Sequence, residues 1–339
     1  MLFNIGNALI LRKKSFPPKI YFFFFTGIII FWFSYMFLNN GFLLFNKHWL
    51  IAITMIFGSF IAGASSEGGG AIAFPVFTLL LDASPQIARN FSFAIQSIGM
   101  TAASLIILEL KIPIERKTIL YASLGGVLGL ITGTYKILHF FSPLMTKLFF
   151  VSLWLSFGIV LFVINRKKKR ILFNKIKNLS KNETLLLIFF GFLGGIITSF
   201  FGNGIDILMF CLLTLYFKIN EKVATPTSVI IMTINTIFGA ILHVFVIEDF
   251  QEIAFEFWLC SIPVVIIFAP LGAFVINTVS RHYISKFLYF IVVIQFIGAI
   301  IILKPSSYQY LFSCIVLIIG SLLFFNLMKK GDKRLIVSK

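Results

Sequence analysis

Between residues 49 and 81, two apolar runs, 49–62 and 71–81, flank the polar break Ser65-Ser66-Glu67-Gly68-Gly69-Gly70. The stretch is 33 residues long, too many for one ordinary membrane helix of about 20 residues and few for two with a turn. Hydroxyls, a carboxylate and glycines interrupt the helix where it would lie deepest in lipid. Non-helical backbone at that depth survives only where protein buries it or where it lines a watery cavity. The rest of the chain must therefore surround this break, and broken helices of this kind mark the binding sites of transporters.

Apolar runs of helix-spanning length recur to the end of the sequence, which sets its class. Hydrophobic residues make up 59% of the chain and charged residues 12%, with a mean hydropathy of +1.01. A soluble domain carries about 25% charged residues, so this is a polytopic membrane protein with no stretch long and polar enough for a separate soluble domain. The net charge of +17 does not indicate nucleic acid, because the basic residues sit in short connections and tails, as membrane topology requires. The run Arg166-Lys167-Lys168-Lys169-Arg170 also suits contact with anionic lipid. Cys211, Cys260 and Cys314 are dispersed in apolar segments without metal-ligand spacing and read as small core residues. The four histidines are equally scattered, and no nucleophile–histidine pattern appears. No metal, cofactor or catalytic residue is expected. The 44 phenylalanines follow a general bias toward Phe, Ile, Lys and Asn and read as lipid-facing and packing surface.

In chain order, a first helix over 20–38 follows a basic segment. It is longer than a secretory core and lacks a small-x-small cleavage site, so it reads as retained. After the broken stretch come helices over 85–110, 118–139 and 143–164, then a basic linker, 165–183. The pattern then returns: an apolar arm 184–198, a break 199–204, an arm 205–217, and helices near 221–246, 255–278 and 282–303. A final run, 307–327, leads into a basic tail. A shift of 136 residues places Gly58 on Gly194, Thr78 on Thr214, Ala88 on Ala224 and Ser92 on Ser228, and lays Ser66-Glu67-Gly68 over Gly202-Asn203-Gly204. The second set repeats the first.

Charge decides how the broken segments sit. If each crossed the membrane, the inner segments would hold 13 Lys and Arg and the outer ones 16. If each is re-entrant, 24 of the 29 fall on the linker's side and only Lys47, Arg89, Lys136, Lys147 and Lys304 on the other. Only the second arrangement obeys the positive-inside rule. Arms of 14 and 11 residues reach about 21 and 16 Å, roughly halfway through a 30 Å core. Each repeat then holds one hairpin and three crossings, and an odd number of crossings inserts the repeats upside down relative to each other. The expected fold is an all-α polytopic membrane protein of two inverted repeats (45–164 and 184–303), each a re-entrant broken-helix hairpin plus three transmembrane helices, with one extra helix at each end. Both termini and the linker belong on the cytoplasmic side of the cell (plasma or inner) membrane. The hairpin tips should meet near the midplane.

A helix starting at such a tip aims unpaired backbone N–H groups and the positive end of its dipole into the cavity, which suits a small oxyanion. The candidate binding residues at the tips are Ser65, Ser66, Gly68, Gly69 and Gly70 in the first, and Gly202, Asn203 and Gly204 in the second. The glycines also fit a purely packing role. Glu67 and Asp206 are candidates for carrying a coupling proton, and each also fits a plain capping role. The helix after each hairpin carries a small or polar stripe: Arg89, Ser92, Gln96, Gly99 and Ala103 in one, Thr225, Ser228, Met232, Asn235 and Gly239 in the other. Such a stripe faces protein or water rather than lipid. Arg89, Gln96, Thr225, Ser228 and Asn235 join the candidate binding set. Arg89 is placed to attract an anion from outside, or to snorkel at a helix end.

With Glu67-Gly68-Gly69-Gly70, Phe74-Pro75 and Ala88, and a second copy in which Cys211 stands where proline is expected, the chain resembles the TauE/SafE family of sulfite-exporter-like permeases over about 45–303. The resemblance implies secondary transport, often export, of small sulfur-containing or carboxylate anions such as sulfite and sulfonates. The expected partners are a small anionic substrate and the lipid bilayer. Association into a homo-oligomer is left open by the sequence. A cation or proton pathway through Glu67 and Asp206, and a membrane-embedded enzyme using Glu67, are the competing readings.

Overall fold

Helix boundaries fall where the sequence supplies caps and breaks. The structure, a computed structural model, describes residues 19–65, 76–81, 83–165, 172–176, 179–275 and 281–337. Its helices are α1 (Lys19–Leu38), α2 (Leu44–Ala64), α3 (Pro85–Glu109), α4 (Arg116–Thr132), α5 (Pro143–Asn165), α6 (Lys181–Phe201), α7 (Ile205–Cys211), α8 (Glu221–Ile241), α9 (Glu252–Val275), α10 (Arg281–Leu303) and α11 (Ser307–Val337). The first break, with Ser66, Glu67, Gly68, Gly69, Gly70 and Pro75, lies outside the described residues. Ser84 caps α3, accepting from Ile87 N with Pro85 in the first turn. Ser180 and Glu183 form a reciprocal capping box at the start of α6, which satisfies two otherwise orphaned donors.

Among the described residues there is no β-strand, and nine helices are long and apolar enough to cross a membrane. The chain is an all-α polytopic membrane protein. Large apolar side chains such as Phe23, Phe37, Phe140 and Phe245 are exposed on its surface, as a lipid solvent allows.

Small residues let the helices meet at backbone distance. A Cβ on Gly125 or Gly129 of α4 would lie 2.0 or 1.9 Å from the carbonyl oxygens of Ile188 and Phe192 in α6. The pair α2–α9 is built the same way, with Gly63 against the Ala269 carbonyl and Gly272 against the Phe60 carbonyl. Close approach of this kind replaces the hydrophobic effect, which lipid removes as a force between helices. At the centre, α3 meets α8 through a hydrogen bond between the Ser104 and Thr233 hydroxyls at 2.8 Å.

One pattern of unusual turns occurs three times among the described residues, once over Leu242–Val246, where Ile247 N donates to Leu242 O at 2.8 Å and Asp249 N to His243 O at 3.2 Å. A π-turn over Val76–Leu80 ends with Leu81 N donating to Val76 O at 3.1 Å and Ala83 N to Phe77 O at 2.8 Å. The π-turn Leu212–Tyr216, which continues α7, ends with Phe217 N to Leu212 O at 3.2 Å and Ile219 N to Leu213 O at 2.9 Å. The turns at Val76–Leu80 and Leu212–Tyr216 lie 136 residues apart.

Polar contacts define two ends of the bundle. At one end, Glu183 at the start of α6 accepts from Arg334 at 2.6 Å, and Lys218, just past the π-turn after α7, pairs with Asp332 at 2.5 Å. Arg334 and Asp332 lie in the last turns of α11, so both feet of the α6–α7 hairpin lie together. The described part of the linker joins them there: Phe173 bridges to Ile219, and Ile176 N donates to the Glu115 carboxylate just before α4. At the other end, Lys47 and His48 of α2 meet Glu256 of α9, and Arg89 of α3 meets Asp249 in the α8–α9 connection.

Three details depart from the sequence reading. The arms α2 and α6 are 21 residues each, about 31 Å rather than the length of 14 or 15 residues, so they match the full depth of a roughly 30 Å core and not half of it. The second break shrinks to Gly202–Gly204, because the Ser199 hydroxyl bonds the Ile196 carbonyl one turn back and the helix continues through it. The last helix runs ten residues past 327, to Val337, and Cys314 on it is exposed rather than in the core.

Candidate functional site

The second tip is built from two glycines that no other residue could replace without strain. Gly202 ends α6 in the left-handed region, φ 74°, and Gly204 sits at φ 135° before α7. Side chains there are disfavoured by backbone sterics. A Cβ on Gly202 would also lie 2.6 Å from Ser92 Cβ and 2.8 Å from the Arg89 carbonyl oxygen. The tip is thus pressed directly onto the polar stripe of α3. Gln96 completes the contact, its Nε2 donating to the Gly202 carbonyl at 3.1 Å and to the Ser92 hydroxyl.

The chain satisfies most of this tip's donors itself. Gly202 N donates to Thr198 O at 2.7 Å, Gly204 N to Asp206 Oδ1 at 3.0 Å, and Ile205 N to Thr198 Oγ1 at 3.1 Å. The expectation of open N–H groups at the second tip is therefore corrected: the Asp206 carboxylate folds back over them as a cap. Its other oxygen, Oδ2, is fully buried and has no hydrogen-bond partner among the described residues.

The other candidates separate. Asn235 of α8 approaches α4 and α7, since a Cβ on Gly126 would lie 2.3 Å from Asn235 Oδ1 and 2.4 Å from Ile205 Cδ1. Asn203 is buried within the tip. Thr225 and Ser228 are buried, and Ser228 Oγ donates within its own helix to the Thr225 carbonyl at 2.8 Å. Ser65, at the end of α2, is buried. With residues 66–75 outside the described part, Ser66, Glu67 and Gly68–Gly70 are not placed.

Arg89 does not snorkel. Its side chain is 3% exposed, and its carbonyl faces the tip while its guanidinium points the other way. Nη2 donates to Asp249 Oδ2 at 2.8 Å and Nε to Asn90 Oδ1 at 2.9 Å. Asn90 Nδ2 donates to the Asp249 carbonyl at 2.8 Å, and Gln86 Nε2 reaches Oδ2 at 3.3 Å. His243 Nδ1 lies 2.7 Å from Asp249 Oδ1, and its ring stacks on Phe93. Burial alone would push the Asp249 carboxyl up; the His243 hydrogen bond and the charges of His243 and Arg89 outweigh it and hold it at about 2. A cavity of about 520 Å³ adjoins this cluster, lined among others by Gln86, Arg89, Thr134, His139, Thr146 and Asp249. Among the described residues, no group of three or more His, Cys, Asp or Glu side chains is placed to hold a metal ion.

The family model of the sulfite exporter TauE/SafE matches residues 50–299. The chain belongs to that family. Comparison with curated proteins and with solved structures found no match. The TauE/SafE match begins within α2 and ends within α10, so α1 and α11 lie outside it. As a member of this family the chain is a membrane transporter. Within the TauE/SafE region, sequence reasoning passed over Asp249 and His243. Their signal was local: a histidine and a carboxylate six residues apart, with Arg89 the basic residue expected at the same end.

Proposed function

We propose that this TauE/SafE member is a secondary transporter of small oxyanions, such as sulfite, sulfonates or related small organic acids, coupled to protons. The observation that carries the reading is the buried Arg89. Its guanidinium borders the cavity, and its carbonyl lies against the second tip. A buried guanidinium needs an anion beside it, and its planar fork fits carboxylate and sulfonate oxygens. Gln96, Ser92 and Gly202 continue the polar surface inward from Arg89.

Inverted repeats with re-entrant hairpins accompany this proposal. The reciprocal pairing of α2 with α9 and of α6 with α4 supports them. The end that carries the linker, Lys218 and the end of α11 is assigned to the cytoplasm by its excess of Lys and Arg. For coupling, the buried Oδ2 of Asp206 is a candidate proton carrier beside Glu67. The test is flux in proteoliposomes across sulfite, methanesulfonate and small carboxylates, with and without an imposed pH gradient. Gradient-stimulated flux of at least one of these anions is expected; no flux of any of them overturns the reading.

A further inference from the structure

The Arg89 anion position is already filled by a group of the protein's own. Among the described residues the guanidinium donates only to Asn90 and Asp249, so Asp249 is its one charged partner. That carboxylate does not come from the helix bundle. It sits in the short connection between α8 and α9, which turns back sharply: Glu248 has φ 58°, and Asp249 N donates to the His243 carbonyl at 3.2 Å. The connection thereby lowers a carboxylate onto the wall of the cavity next to Arg89. Gln86 lines the same cavity and donates to this carboxylate at 3.3 Å.

We propose that Asp249 is a tethered counter-anion: it occupies the anion-recognising side of Arg89 while the cavity is empty, and a small oxyanion takes its place on Arg89 when it binds. The proposal rests on the reading of the chain as an anion transporter and names the residue that guards its site.

Three features favour exchange over a fixed structural pair. First, a buried guanidinium without an anion beside it is strongly destabilising, so Asp249 can leave only as another anion arrives. Second, Asp249 has somewhere to go. Its Oδ1 faces His243 Nδ1 and its Oδ2 also receives Gln86, so it keeps partners after releasing Arg89. The Arg89 contact is one of several, and the carboxylate is about one quarter exposed whereas the guanidinium is almost fully enclosed. Third, the two anions compete for one cation. Asp249 is held in its charged form far below neutral pH, so the incoming oxyanion competes with a like charge on a shared cation.

The experiment measures binding of sulfite and methanesulfonate to purified, full-length protein by titration of tryptophan fluorescence, and the shift of melting temperature with each anion. Asp249→Asn removes the competitor. Its affinity for methanesulfonate is expected to rise by about tenfold, equivalent to about 1.4 kcal/mol, and its melting temperature to climb with anion concentration more steeply than that of the wild type. Arg89→Gln should abolish both responses, and so should the double variant Arg89→Gln/Asp249→Asn. If Asp249→Asn is recovered folded only when the anion is present during purification, the proposal is supported. If it binds no more tightly than wild type, or is not recovered folded with the anion present, the proposal fails. That failure is distinct from failure of the transport reading, which is decided by wild-type flux alone.

Discussion

Arg334 Nε donates to Glu183 Oε1 at 2.6 Å across 151 residues of sequence. Two residues before Arg334, Asp332 pairs with Lys218, and the Arg334 guanidinium lies 5.0 Å from the centre of the Phe217 ring. The last turns of α11 thus bind the first turn of α6 and the residues that close the arm of α7. A helix outside the region shared with the TauE/SafE family holds together the two feet of the hairpin that carries the second tip. Backbone packing reinforces it, since a Cβ on Gly331 would lie 2.1 Å from the Leu215 carbonyl oxygen.

Charge reversal tests this clamp. Arg334→Glu should lower the melting temperature in detergent, corresponding to about 1 kcal/mol for a partly exposed pair and a similar amount for the lost cation–π contact. Glu183→Arg/Arg334→Glu should recover part of the loss and no more, because Glu183 also closes the capping box at Ser180. The check is thermal unfolding of the two single variants and the swap. Equal melting temperatures for all four proteins would remove the clamp.

Much of this fold was legible in the sequence, and the reasons are local. Apolar length identified the membrane helices, and the glycines of Gly202-Asn203-Gly204 marked a turn that needs positive φ. Ser199 misled, because a hydroxyl in a membrane helix can bond the carbonyl one turn back and leave the helix intact. The pairing of Arg89 with Asp249, 160 residues apart, was not legible, since a lone arginine and an acidic connection declare no register. The clamp of α11 was hidden for the same reason: its basic tail reads equally well as topology alone.

Gly202→Ala is expected to fold and to transport poorly. Alanine in the left-handed region costs about 1–2 kcal/mol, and its Cβ would press on Ser92 and on the backbone of Arg89. The Arg89 carbonyl cannot retreat without moving α3, so the tip must shift away from Gln96. Flux should fall by about tenfold, the equivalent of about 1.4 kcal/mol, with a monodisperse elution profile retained. Ser92→Gly in the same chain should recover only part of it, because the backbone contact persists.

The cluster of Arg89, His243 and Asp249 has a defined pH response. The Asp249 carboxyl is depressed in the folded protein from 3.8 to about 2, so its contribution to stability is fully present above the unfolded value and is lost as pH falls through the folded one. Melting temperature should therefore show no Asp249-dependent change between about pH 5 and 8. Below about pH 4 the difference between wild type and Asp249→Asn should shrink toward zero. A difference that vanishes nearer neutrality would show that Asp249 is not held in its charged form by its neighbours.

Sidedness separates a re-entrant hairpin from a crossing one. In a background lacking Cys211, Cys260 and Cys314, a cysteine at Lys218 should be labelled only from the cytoplasmic face and one at Glu248 only from the opposite face. One membrane span, α8, lies between them, so they must differ; the assignment of faces is what the basic-residue distribution predicts. A cysteine at Lys181 should then report with Lys218, because both feet of the hairpin lie at the same end. Labelling of Lys181 and Lys218 from opposite faces would mean that the α6–α7 hairpin crosses the membrane.

Proton coupling can be traced to one break or the other. Asp206→Asn keeps an oxygen to accept from Gly204 N, so the cap over the second tip survives, while the buried Oδ2 that could take up a proton is replaced. Glu67→Gln makes the matching change at the first break. Transport is measured in proteoliposomes as substrate-for-substrate exchange and as net flux driven by an imposed pH gradient. If Asp206 carries the proton, Asp206→Asn should retain exchange within about twofold of wild type, a difference of about 0.4 kcal/mol, and lose its response to the gradient. If only Glu67→Gln loses that response, the carrier lies at the first break and Asp206 is a cap alone. If both variants respond as wild type does, neither carboxylate couples transport to protons, and that part of the proposal is wrong.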